Sequence, residues 1–79
     1  MERVAITGAT GFVGRYVVKE LLNKGYQVYA LVRNAKKLKE VFPEGVDALE
    51  VDFSDKVSLR KALERTQPHY VIHLIGILV

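Results

Sequence analysis

Thr7-Gly8-Ala9-Thr10-Gly11-Phe12-Val13-Gly14 lies between the apolar run Val4-Ala5-Ile6 and a segment with helical patterning. A short buried strand delivers the backbone to a tight bend. The helix that starts there directs its free N–H groups and the positive end of its dipole at any anion in front of it. Gly8 can adopt the φ > 0 geometry of the bend, Gly11 lets the backbone approach a pyrophosphate with no Cβ in the way, and Gly14 lets the helix pack closely on the strand. The competing reading is a purely structural turn. A strand before and a helix after are the context that phosphate binding requires, and both are present.

The glycines are spaced G-x-x-G-x-x-G, one residue longer in the first half than the general dinucleotide fingerprint. With Thr7 in front, the stretch resembles the T-G-[AG]-[ST]-G-[FY]-[IVL]-G turn of the extended and atypical short-chain dehydrogenase/reductases, the NAD-dependent epimerase/dehydratase-like, NADP-binding Rossmann proteins. The resemblance extends over all 79 residues. It covers only the front of the family's domain, which normally continues through further strands and a substrate-binding part.

Outward from the turn, Val4 to Thr7 reads as a strand covered on both faces, because its apolar run is unbroken. A helix from about Phe12 to Lys24 follows, with Val13, Val17 and Leu21, joined by Val18 and Leu22, as the stripe that faces a sheet. Gly25 ends it, and Tyr26 to Val32 forms the second strand. Asn34 is placed to cap a short helix from Ala35 to Val41, and Pro43-Glu44-Gly45 breaks the chain. Val46 to Val51 is a third strand whose Asp47 and Glu50 suit a sheet edge. Asp55, or Ser54, caps a helix running to about Arg65 with Leu59, Ala62 and Leu63 as its buried stripe. Gln67-Pro68-His69 then leads into a fourth strand from Tyr70 to about Leu74. This alternation predicts an α/β partial Rossmann fold: a four-stranded parallel sheet in the order 3-2-1-4, with right-handed crossovers and helices on both faces.

The end of the second strand bears on cofactor choice. In dinucleotide folds a carboxylate about 20 positions after the glycine turn accepts from the 2′-hydroxyl of NAD, and an arginine there accommodates the 2′-phosphate of NADP. Leu31-Val32-Arg33-Asn34 stands at this point, with no Asp or Glu between Glu20 and Glu40. NADP(H) is therefore expected, with NAD as second choice. A charge-assisted bond from Arg33 of about 1.5–3 kcal/mol shifts preference roughly ten- to a hundredfold, with Lys36 or Lys37 as helpers. The bland reading of Arg33 is a solvated strand end.

The resemblance adds further positions. It places Asp52, the first Asp of Asp52-Phe53-Ser54-Asp55, beside the adenine as an acceptor from the exocyclic amine, with Phe53 in contact; a turn-forming Asp52 is the alternative. Val71-Ile72-His73-Leu74-Ile75-Gly76 resembles the family's fourth strand, whose end runs beside the ribose and nicotinamide. The cofactor-binding set is then Gly8, Thr10, Gly11, Phe12, Val13 and Gly14, with Arg33, Asp52, Phe53, Leu74 and Gly76. His73, a single histidine in an apolar strand, reads as a packed, hydrogen-bonded core residue. It has no metal-ligand spacing with His69.

Composition narrows the classes. Seventy-nine residues make one small domain, which buries only about 60% of the surface its unfolded chain exposes. The absence of cysteine excludes disulfides and thiolate metal sites. Lys36, Lys37 and Lys39 cluster, but the other basic residues are scattered along helix faces. The net charge of +3 thus suits a nucleotide's phosphates better than a nucleic acid. The chain enters a strand at once with no leader, and its longest apolar run, Leu74 to Val79, is too short for a bilayer, so a cytoplasmic location without a membrane span is expected.

Catalysis in the resembled family uses a Tyr-x-x-x-Lys pair. Four positions after Tyr16, Tyr26, Tyr29 and Tyr70 stand Glu20, Ala30, Arg33 and Leu74. The chain by itself is not expected to be a reductase. It reads as residues 1–79 of an NAD(P)-binding Rossmann domain without catalytic and substrate parts: an amino-terminal fragment, a split gene product or a truncated frame. Either a missing C-terminal half or a second copy is expected to cover its apolar end. Two functions follow: the NADP-binding part of a short-chain oxidoreductase or epimerase/dehydratase-type protein, or a non-catalytic NADPH-binding sensor or complex-assembly module of the atypical branch.

Overall fold

Val4, Ala5 and Ile6 are almost wholly removed from solvent, which requires cover on both faces of the strand they form. The computed structural model describes residues 1–42 and 44–74. In chain order these form β1 (Arg3–Thr7), α1 (Phe12–Asn23), β2 (Gln27–Val32), α2 (Ala35–Val41), β3 (Val46–Glu50), α3 (Lys56–Thr66) and β4 (Tyr70–His73). The strands make one parallel sheet in the order β3-β2-β1-β4, as the alternating pattern predicts.

Alternate residues of each strand feed opposite layers. Ile6, Val28, Ala30 and Val32 pack with Val18 of α1 and Leu38 of α2. Ala5 and Leu31 pack with Val51 and with Ala62 of α3. Two helices therefore cover one face and one covers the other. Each fully buried Val, Leu or Ile stabilises such a core by about 1.5–3 kcal/mol, and Leu38 is the one fully buried side chain of the seven-residue α2, with Ala35 and Val41 packed beside it.

The caps follow from side-chain chemistry. Asn34 Oδ1 accepts from the N–H groups of Lys36 at 3.0 Å and Lys37 at 3.3 Å, and Asp55 Oδ1 accepts from Val57 N–H at 2.9 Å. Asp55, not Ser54, is thus the cap of α3. α1 differs: its N-cap is Gly11, which offers no side-chain acceptor. Its first-turn donors are turned toward the space before the helix without a side-chain partner at the cap.

β4 is stitched to β1 at both ends. At one end Arg3 N–H donates to His69 Nδ1 at 2.9 Å while His69 N–H donates to Arg3 C=O at 2.8 Å. Arg3 Nε also donates to the carbonyls of Thr66 and Gln67, at 3.2 and 2.9 Å, where α3 ends. At the other end Thr7 Oγ1 lies 2.7 Å from His73 Nδ1 and accepts from Leu74 N–H at 3.1 Å.

Two expectations are corrected. Val13 does not face the sheet: with Phe12 and Tyr16 it lies exposed at the start of α1, and the covered stripe begins at Val17 and Val18. The first turn of α1 stands at the bend rather than over the strands. His73 is hydrogen-bonded as expected but is an exposed residue, not a core one. α3 packs over β1, β2 and the end of β3, so the face of β4 carrying Val71 and His73 has no described helix above it.

Candidate functional site

Backbone geometry at the bend rests on two glycines. Gly8 has φ 78°, in the left-handed region, and its carbonyl accepts from Gly11 N–H at 3.1 Å to close the turn. A Cβ on Gly14 would stand 1.9 Å from the Gly8 carbonyl oxygen and 2.9 Å from Ala9 Cα. The first turn of α1 is thereby pressed against the bend, closer than any side chain permits. At Gly11 a Cβ would meet Gly8 O at 3.4 Å, an ordinary contact. Protein packing alone does not require glycine there.

The carboxyl ends of β1 and β2 open onto one cavity of about 250 Å³. Gly8, Ala9 and Thr10 of the bend, Leu31 and Val32 of β2, and Arg33, Asn34, Lys37 and Phe53 line it. Residues far apart in sequence, the glycine turn and Arg33, thus meet in one space. Lys37 joins them, whereas Lys36 is not on this wall. Arg33 also reaches a second cavity of about 430 Å³, which it shares with Glu50, Val51, Asp52 and Ser54.

Asp52 is exposed, and both bonds that hold its carboxylate fall on Oδ1: Ser54 Oγ donates at 2.6 Å and Ser54 N–H at 3.0 Å. The turn-forming reading of Asp52 is therefore realised. The hydroxyl bond first, then the backbone bond, and then the positive charge of Arg33 hold this carboxyl below its usual 3.8. An anionic acceptor results beside the cavity.

The remaining expected positions divide. Phe12 and Val13 open α1 with exposed side chains, and neither lies on the wall of the first cavity. Leu74 follows β4 half-buried, its N–H held by Thr7. Gly76 lies outside the described residues. Glu50 was missed by sequence reasoning: its Oε1 accepts from Ala35 N–H at 3.2 Å. Only the strand register, which sets Glu50 opposite Val32, brings it beside the start of α2.

The fold is shared with known proteins. The family model for the NAD dependent epimerase/dehydratase family matches residues 4–78. The chain belongs to that family. Quinone oxidoreductase 2 of Escherichia coli K12 is 36% identical over 63 residues, which span 77% of this chain and 22% of that one. Among solved structures, UDP-glucose 4-epimerase of Thermus thermophilus in complex with NAD superposes with a TM-score of 0.80 at 35% identity, covering 95% of this chain and 24% of that one. AtPrR2 with NADP+ and (+)pinoresinol superposes with a TM-score of 0.80 at 29% identity, over 96% and 27% of the two chains. This family member thus spans about a quarter of the length of these relatives. No helix among the described residues is long and apolar enough to cross a membrane.

Proposed function

We propose that the chain binds a nicotinamide dinucleotide, NADP(H) in preference to NAD(H), as the amino-terminal portion of the Rossmann domain of an oxidoreductase or epimerase/dehydratase-type protein. The observation that carries this reading is the single cavity joining the glycine bend to Arg33 and Lys37. The residues present fit the group: a close-packed bend with no Cβ at Gly11 or Gly14, an N-cap without a side-chain acceptor, and two cations at the far wall.

In this reading the pyrophosphate takes the N–H groups at the start of α1, near Thr10, Phe12 and Val13. Arg33, helped by Lys37, holds the 2′-phosphate with its planar fork of donors. Asp52, whose Oδ1 is engaged by Ser54, turns Oδ2 to the exocyclic amine of adenine, and Phe53 borders the same base. Leu74, which follows β4, faces the ribose and nicotinamide half in this reading. When bound, the nicotinamide supplies hydride transfer; this chain's residues bind and orient it.

Calorimetric titration of the chain with NADPH and with NADH, repeated on Arg33→Ala, tests the reading. Tighter NADPH binding that the substitution abolishes is the expected result. Equal affinities in the native chain would sink the NADP preference while sustaining dinucleotide binding. Failure of both cofactors to bind, in a sample that shows a cooperative melt, would overturn the proposal as a whole.

A further inference from the structure

Glu50 ends the edge strand β3, and its carboxylate is held at the start of α2 by Ala35 N–H. α2 does not depend on it for a cap, because Asn34 Oδ1 already takes the N–H groups of Lys36 and Lys37. Glu50 lines the second cavity together with Arg33 and Asp52. Two carboxylates therefore share that wall with the arginine, and the Asp52 carboxyl already responds to the Arg33 charge.

We infer that Glu50 is a specificity-determining residue, a fixed negative charge that offsets Arg33 and limits how strongly the site prefers a 2′-phosphorylated cofactor to one with a free 2′-hydroxyl. The inference rests on the reading that Arg33 faces the 2′-phosphate. Arg33 borders both cavities, so a 2′-phosphate that it holds brings about two negative charges beside the space where Glu50 lies, and like charges repel even near the protein surface. A free 2′-hydroxyl meets no such repulsion. Glu50 accordingly acts on one cofactor and not on the other.

Glu50→Gln is the discriminating variant, because the amide oxygen still accepts from Ala35 N–H and only the charge is lost. Titration of the native chain, Glu50→Gln and Glu50→Ala with NADPH and NADH is expected to show NADPH affinity rising about three- to tenfold in the Gln variant. NADH affinity should stay within about twofold, and the gain should shrink at about 0.5 M salt. A purely helix-supporting Glu50 predicts something else: no salt-sensitive gain, and parallel weakening of both cofactors in Glu50→Ala. That result, unchanged affinities in Glu50→Gln, or loss of the melting transition in both variants overturns the inference. Failure of the underlying reading is seen separately, as an NADPH-to-NADH ratio that Arg33→Ala leaves unaltered.

Discussion

A methyl group is the smallest side chain that could be added at Gly14, and the Gly8 carbonyl already occupies its place. Backbone must move to admit it. Gly14→Ala is therefore expected to destabilise the fold by about 1–3 kcal/mol and to lower the thermal midpoint. Gly11→Ala, with room for its Cβ, should leave the midpoint nearly unchanged while weakening cofactor binding; an equal loss of stability in both variants would contradict this division. At Asp52 the sign of the pH effect follows from a carboxyl held below 3.8 in the folded chain. Its contribution to stability is present above that value and is lost as pH falls through the lower folded-state value. Ser54→Ala removes the largest cause, so an NMR titration should find the Asp52 carboxyl higher in that variant. Gly8 and Gly14 were legible from spacing alone, because a bend and a close approach are local demands. The exposure of Val13 and His73 was not, since it depends on which helix lies over which strand.

Helix starts were the most readable elements, because a cap bonds to donors two or three residues away. Asn34 and Asp55 both stand where the sequence places them and both bond as caps do. Asp55→Ala is expected to cost about 0.5–2 kcal/mol, and Asn34→Ala a similar amount, in urea unfolding with an unchanged slope. The end of α3 falls within a residue of where the pattern puts it, but the contacts that hold it there were illegible for the opposite reason. Arg3 holds the Thr66 carbonyl across 63 positions of sequence, and Gln67 adopts φ 43° there without being a glycine. Glu50 belongs with it: charge and hydrophobic pattern assign it to an edge strand, while its bond to Ala35 N–H exists only once β3 is in register with β2. Most of the candidate site was thus written in contiguous motifs, and the place of Glu50 in it is made by register.

For the molecule as a whole, the order β3-β2-β1-β4 puts the two most buried strands inside and the two most exposed ones at the edges. Amide exchange should rank accordingly, with Ala5, Ile6, Ala30 and Leu31 slowest and the β3 and β4 amides faster; equal protection in all four strands would be at odds with this order. The sheet order itself was readable, because alternating strands and helices with right-handed crossovers admit few arrangements. Arg3, on the earliest of the four strands, is bonded to His69, 66 positions later. At synthesis rates of about 5–20 residues per second, β1 spends seconds with one edge unpaired before β4 exists to fill it. During that interval the growing polypeptide offers an exposed template to any passing extended segment, and completion of β1 waits for the last strand described.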